Sequence, residues 1–455
     1  MGSTIAAIST PAAPAGLGVV RLSGEDAVAV AARIFRPAAK GRELTRLKGY
    51  TAAYGHVFDG EGDIDDCVAL VFRAPHSYTG EDVVELSCHG GLYLLRRVLR
   101  AALDAGAQAA GPGEFTRRAF VSGKLDLTRA EAVMELIAAD GRLAAKSALA
   151  AREGALYRRM EEVKNDLLGA AAGFAAYVDY PDDDIPELET AALGATLARA
   201  EQTLTALLDS FEAGRVLREG IDTAIVGCPN VGKSTLMNRL AGCERSIVTP
   251  VAGTTRDVVE ETVRLGDVTL RLADTAGIRE TGDAVEVIGV RRARERMEAA
   301  ALVLAVFDGS RPLGEDDRAL AEAAREHTAI AVINKADEEI RIDTAYLAAR
   351  FERLVTLSAR EGTGLDALAR EVAQVTGVAR LNGSEPLLMG ERQRQCARRC
   401  LDGVREAAAA LQAGMTLDAV SVGVDDAIAA VLELTGERTT EAVVNEVFAR
   451  FCVGK

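Results

Sequence analysis

Residues 227–234 read Gly-Cys-Pro-Asn-Val-Gly-Lys-Ser, which fits GxxxxGKS. They lie between the apolar run TAIV and the helix-forming run STLMNRLAG. No other feature narrows the possible folds as much. A strand–loop–helix of this kind turns backbone N–H groups and a helix N-terminus toward one polyphosphate. A chance glycine-rich turn would lack both flanks. On this reading Gly227, Asn230, Val231, Gly232, Lys233, Ser234 and Thr235 line the phosphates. Lys233 reaches the β- and γ-phosphates, and the Ser234 hydroxyl ligates Mg²⁺.

Further motifs follow in a fixed order. Asp274-Thr275-Ala276-Gly277 closes the strand-like VTLRLA, where a carboxylate suits the surroundings of Mg²⁺ and the Gly277 N–H suits the γ-phosphate. Between it and the loop lies Gly253-Thr254-Thr255-Arg256-Asp257, whose Thr255 hydroxyl could complete the Mg²⁺ shell. Asn334-Lys335-Ala336-Asp337 follows the strand-like AIAVI. Asp337 can accept from guanine N1–H and the exocyclic amine. Adenine offers neither donor and would strand the carboxylate. Ser358-Ala359 ends the next strand, where the Ala359 N–H could meet guanine O6. Together these motifs imply GTP rather than ATP. The residue after Gly277 is Ile278, which cannot hold an attacking water.

The loop belongs to a self-contained alternation of strand and helix over 217–378. IDTAIVG, VTLRLAD, ALVLAVFD, AIAVIN and RLVTLS read as strands of a mostly parallel sheet. On either side, 119–216 and 379–455 read as helical. Leu193, Leu197, Ala200, Leu204, Leu207 and Phe211 recur at spacings of three and four, one apolar helix face. Neither stretch has a local partner for such a face. The economical arrangement packs the two on each other, with the α/β unit inserted between them. Residues 1–118 mix short β-like runs (TIAAIS, GLGVVRL, YTAAYGHVF, CVALVF, DVVELSC) with helices near 25–35 and 91–105. The expected architecture is a multidomain α/β chain: an N-terminal α+β domain, a helical domain in two parts, and an inserted P-loop domain.

A net charge of −15 argues against indiscriminate phosphate binding, though a local basic patch could still grip nucleic acid. The seven cysteines are scattered, which points to reduced thiols and a cytoplasmic setting. MGSTIAAISTP has no secretory pattern, and no apolar run approaches the roughly 18 residues of a membrane span.

The remaining motifs identify a resemblance. Pro75-His-Ser-Tyr-Thr-Gly-Glu-Asp-Val-Val-Glu-Leu86, His89-Gly-Gly91, Gly111-Pro-Gly-Glu-Phe-Thr-Arg-Arg-Ala-Phe120, Gly123-Lys-Leu-Asp-Leu127, Tyr180-Pro-Asp-Asp-Asp-Ile185 and the terminal Phe451-Cys-Val-Gly-Lys455 resemble the MnmE (TrmE) family of tRNA-modifying GTPases. The likeness spans essentially the whole chain. It implies a homodimer whose N-terminal domain, 1–118, binds a tetrahydrofolate derivative, 5-formyl- or 5,10-methylene-tetrahydrofolate. It implies GTP hydrolysis by G domains paired across K⁺. The flavoprotein MnmG would supply FAD, and the pair would add an aminomethyl or carboxymethylaminomethyl group at C5 of the tRNA wobble uridine. Residue by residue, the likeness implies K⁺ ligands at Asn230, Thr249, Val251 and Thr254, and Mg²⁺ ligands at Ser234 and Thr255. It implies that Glu286 orients the attacking water, with Arg256, Asp257 and Arg279 supporting the closed state. It implies a folate site at Arg21, Glu85, Lys124 and Lys455. The turn Pro11-Ala-Ala-Pro-Ala-Gly16 carries fewer glycines than the family pattern.

Several residues have blander readings. Without the resemblance, Glu286 in GDAVEVIG is an ordinary solvated residue. Cys452 reads as a packed terminal thiol as readily as a nucleophile, and His89 as a structural turn residue. Arg392, Arg394, Arg398 and Arg399 could meet tRNA phosphates or form a solvated helix face. Arg291, Arg292, Arg294 and Arg296 lie within the G domain, where the solvated reading is stronger. The competing function is a GTPase switch in ribosome assembly, without modification chemistry. The N-terminal domain and the terminal CVGK distinguish the two.

Overall fold

A computed structural model describes residues 3–179, 190–243, 261–272 and 295–455. The chain forms two compact units, Met1–Met134 with Asp425–Lys455, and Glu135–Val424.

The first unit is built on a seven-stranded sheet in the order β3-β4-β5-β6-β2-β1-β7. The strands are β1 (Ile5–Ile8), β2 (Ala15–Ser23), β3 (Phe35–Pro37), β4 (Thr51–Asp59), β5 (Gly62–Phe72), β6 (Val83–Gly90) and β7 (Gln108–Ala109). All pairs are antiparallel except β1 with β7. Burial alternates along each central strand, as a half-buried sheet requires. Ala53 and Val57, Cys67, Ala69 and Val71, Val84 and Leu86, and Val20 and Leu22 all face one core. Helices α1 (Ala27–Ile34) and α2 (Leu92–Asp104) cover that face through Val28, Ala31, Leu95 and Val98. Helix α3 (Glu114–Val121) and the start of α4 (Leu127–Ala138) follow.

The end of the chain returns to this unit. In α15 (Glu441–Ala449), Val444 and Phe448 pack with Phe451 against Leu127, Ala130 and Val133. The Phe448 and Phe451 rings lie 5.2 Å apart. Burying a phenylalanine this fully stabilises by about 2–3 kcal/mol, enough to hold a chain terminus in place.

The second unit carries a six-stranded sheet in the order β13-β12-β11-β8-β10-β9. Its strands are β8 (Ile221–Val226), β9 (Glu261–Leu265), β10 (Val268–Leu272), β11 (Leu302–Asp308), β12 (Ala329–Asn334) and β13 (Leu354–Thr356). Every pair is parallel except the β9–β10 hairpin. Strand β11 is buried at every position, as a central parallel strand covered on both faces must be. One face packs on α8 (Phe211–Glu219), α9 (Lys233–Cys243) and α12 (Leu365–Val375). The other packs on α10 (Glu315–Ala324) and α11 (Thr344–Ala348). Strand β9 was not among the expected strands. Its polar Thr262 and Arg264 alternate with buried Val263 and Leu265, and its pairing depends on the two-residue turn at Gly266-Asp267.

Helices α5 (Arg142–Arg152), α6 (Ala155–Asp179), α7 (Thr190–Asp209) and α13 (Glu391–Gln412) complete this unit. The expected apolar stripe of α7 is buried at Leu193, Leu197, Ala200, Leu204 and Leu207. Helix α7 packs on α13, so helices from either side of the G domain join as the lone apolar faces demanded. Helix α14 (Leu417–Thr435) follows α13. Among the described residues, no helix is long and apolar enough to cross a membrane.

Candidate functional site

The phosphate loop leaves the end of buried β8 and enters α9 at Lys233. Its shape is set by close approach to the sheet. A Cβ on Gly227 would lie 2.5 Å from the Val306 carbonyl oxygen of β11. Gly232 has φ +94°, and a Cβ there would collide with Asn334 Nδ2. Both positions therefore exclude side chains. Asn230 also adopts the left-handed region, at φ +64°, which asparagine tolerates better than most residues. Lys233 Nζ donates to the carbonyls of Gly227 and Cys228, each at 2.8 Å. Burial lowers its pKa, because a dry ammonium is costly. Polyphosphate oxygens would offer it a charged partner in place of two carbonyls. Ser234, on the exposed first turn of α9, presents a hydroxyl oxygen, a donor type that suits Mg²⁺.

The Asn334–Asp337 run is tied to the phosphate loop by Asn334, which is 2% exposed. Its Nδ2 donates to the Val231 carbonyl at 2.8 Å. Its Oδ1 accepts from the Ala359 N–H at 2.9 Å. One side chain thus joins the phosphate loop, the Asn334–Asp337 run and the Ser358-Ala359 loop. The Ala359 N–H, expected to face guanine O6, is engaged by Asn334 in this structure. Ser358 Oγ donates to Asp337 Oδ1 at 2.6 Å. That hydrogen bond, followed by Asp337's own backbone, holds the Asp337 carboxyl below the usual carboxylate range. It remains a hydrogen-bond acceptor at neutral pH. Lys335 has φ +65° and places Nζ 2.6 Å from Asp308 Oδ2.

Two contributors were not apparent from the motifs. Asp308 ends β11 and is nearly buried. Burial pushes its pKa up, but hydrogen bonds from Lys335 and Ser310 outweigh that and hold it below the usual range. It fixes Lys335, and its position at the end of ALVLAVFD is the only sequence signal for it. Arg239, on α9, donates from Nε to the Ala359 carbonyl at 3.2 Å and from Nη2 to the Arg360 carbonyl. No motif marks it.

Thr249, Val251, Thr254, Thr255, Arg256, Asp257, Asp274, Thr275, Ala276, Gly277, Arg279 and Glu286 lie outside the described residues. So does the Tyr180–Ile185 motif.

In the first unit, Arg21 and Glu85 sit opposite each other on β2 and β6. Arg21 Nε donates to Glu85 Oε1 at 2.9 Å. Arg21 Nη1 donates to the Gly454 carbonyl at 3.4 Å, which brings the chain terminus to the pair. Ser9 Oγ also donates to the Gly454 carbonyl, and the Phe115 N–H donates to the Lys455 carbonyl. The Arg21 guanidinium lies 5.9 Å from the Tyr78 ring centre. Lys124 Nζ donates to the Ser77 carbonyl at 3.1 Å, beside Tyr78. Arg21, Glu85 and the terminal segment are therefore assembled at one place, with Lys124 on the neighbouring loop.

The other candidates differ in their placement. His89 lies on β6 rather than in a turn: its Nδ1 is 2.8 Å from Asp65 Oδ1 on β5, and its backbone N–H donates to Asp65 Oδ2. On α13, Arg394 pairs with Glu391 and Arg398 with Asp402. Cys452 departs from the packed-thiol reading, since it is exposed.

A parallel-sheet domain whose strand ends carry GxxxxGKS, NKAD and a Ser-Ala loop defines a P-loop GTPase. Relatives refine the class. The MnmE helical domain matches residues 127–452, and the N-terminus of GTP-binding protein TrmE matches residues 4–124. The tRNA modification GTPase MnmE of Symbiobacterium thermophilum is 44% identical over 456 residues, covering 99% of both chains. Its counterparts in Geobacter sulfurreducens and Roseiflexus sp. are 43% and 41% identical, again over 99% of both chains. The chain belongs to the MnmE family of tRNA modification GTPases.

Proposed function

We propose that this chain is a potassium-dependent GTPase acting as a homodimer with the flavoprotein MnmG. The pair installs an aminomethyl or carboxymethylaminomethyl group at C5 of the tRNA wobble uridine, and a tetrahydrofolate derivative supplies the carbon. The observation that carries this reading is one chain holding two built sites. One is the phosphate loop tied to Asp337 through Asn334. The other is the Arg21–Glu85 pair reached by the chain terminus. A GTPase switch without modification chemistry has no use for the second.

In this reading Ser234 and Thr255 hold Mg²⁺, and Asn230, Thr249, Val251 and Thr254 hold K⁺. The amide oxygen of Asn230 is a hard donor suited to an alkali cation. The bound cations offset charge growing on the transferring phosphoryl group. Glu286 orients water, with Arg256, Asp257 and Arg279 supporting it. Asp337 selects guanine. Arg21, Lys124 and Lys455 offer cations to folate carboxylates, and Glu85 accepts from pterin donors. MnmG brings FAD.

The test compares GTP turnover in K⁺ and Na⁺ at equal ionic strength, alongside titration with 5-formyltetrahydrofolate. The expected result is turnover that depends on K⁺, with folate binding lost in Glu85→Gln. Equal rates in both salts, or no folate binding, would remove the corresponding half of the proposal.

A further inference from the structure

Residues 33–50, RIFRPAAKGRELTRLKGY, carry six basic residues against one acidic residue, in a chain of net charge −15. Arg33, Arg36, Lys40, Arg42, Arg46 and Lys48 are all exposed. The segment runs from the end of α1 through the edge strand β3 to the start of β4. It is anchored rather than loose. Leu44 is 2% exposed within the core. Arg73 donates from Nη2 to the Thr45 carbonyl at 2.7 Å and from Nε to the Leu47 carbonyl at 3.2 Å. The Ala38 N–H donates to the Tyr54 carbonyl at 3.0 Å.

Little of this charge is answered. Arg36 pairs with Asp63 and Arg46 with Glu43. Arg33 and Arg42 donate to the carbonyls of Ala105 and Ala52, which carry no net charge. Among the described residues, neither Lys40 nor Lys48 has an ion-pair partner. On α13, Glu391 and Asp402 pair with Arg394 and Arg398. Tyr50 closes the segment at φ +60° with 70% of its surface exposed. Its ring is steadied edge-on by Phe72, with centres 5.7 Å apart.

Unanswered cations on a fixed frame attract a phosphate backbone. An exposed, steadied ring beside them suits stacking on an unpaired base. An acidic protein would use the cations but has no need of the ring. We propose that this face binds tRNA: Arg33, Lys40, Arg42 and Lys48 meet backbone phosphates, and Tyr50 stacks on a base of a single-stranded loop. The inference rests on the proposed tRNA substrate and adds the surface that receives it.

The test uses the full-length chain and unmodified tRNA transcript in filter binding across a salt series. Lys40→Glu with Lys48→Glu is expected to weaken binding at least about tenfold. It should also flatten the slope of log K against log salt by about 1 to 2. Tyr50→Ala is expected to weaken binding about tenfold and Tyr50→Phe hardly at all, because the ring stacks and the hydroxyl does not. GTP turnover without RNA should be unchanged in all three, which separates the effect from misfolding. Variants that bind tRNA with wild-type affinity and slope would overturn the surface. Wild-type protein that ignores tRNA would instead sink the underlying function.

Discussion

The phosphate loop and the Arg21–Glu85 pair are built on opposite plans. The loop is main chain. Its shape comes from positive φ at Asn230 and Gly232, and from glycines pressed against Val306 and Asn334. The pair is side chain. It spans two antiparallel strands and is completed by a carbonyl 433 positions away in sequence. A site made of backbone is fragile toward added atoms. A site made of side chains and a returning terminus is fragile toward removed ones.

Asp337→Asn should show the largest effect. The amide turns a donor toward guanine's donors, so GDP affinity should fall more than about a hundredfold. Xanthosine diphosphate, which has an acceptor at that place, should gain. Fluorescent-nucleotide competition reads both. Retained GDP preference would mean that Asp337 does not read the base.

Gly232→Ala sharpens the backbone half. A left-handed alanine costs about 1–2 kcal/mol, and displacing the buried Asn334 amide costs about 1–3 kcal/mol more. GDP affinity should drop by about two orders of magnitude, while folate titration stays unchanged. A mild effect would show that the loop tolerates a side chain.

Deleting Gly454 and Lys455 tests the other half. Ser9, Arg21 and Phe115 lose acceptors. At about 0.5–1.5 kcal/mol per hydrogen bond, thermal unfolding of the first unit should ease by about 2 kcal/mol. Folate binding should weaken with it, and nucleotide affinity should hold. Equal losses at both sites would break the contrast.

The smallest expected effect is at His89. The hydrogen bond its ring donates to Asp65 raises its pKa above the ordinary imidazole value. The protonated form is favoured on folding, so its stabilisation is present below about pH 6.5 and fades as pH rises through the raised value. NMR titration should show that elevation, and Asp65→Asn should abolish it.

The same contrast governs what the sequence reveals. Gly227–Ser234 and Asn334–Asp337 are contiguous, because backbone geometry is set by neighbours in the chain. The α7 stripe was legible for the same local reason. Strand β9 was not, since its partner and turn, rather than its own composition, make it a strand. Asp308 and Arg239 were invisible because their partners, Lys335 and the Ala359 carbonyl, are reached only through the fold. Arg21 and Glu85 could be singled out only through a family resemblance. No spacing announces a cross-strand pair. Of the α13 arginines, suggestive as a cluster, Arg394 and Arg398 are answered by Glu391 and Asp402 on their own helix.

Everything assigned to the nucleotide site depends on a carboxylate that selects guanine beside a main-chain cradle for phosphates. Titrating the full-length protein with GDP and with ADP in the presence of Mg²⁺ tests this most directly. The account predicts tight GDP binding and ADP weaker by at least about a thousandfold. Comparable affinity for the two, or binding of neither, would contradict it.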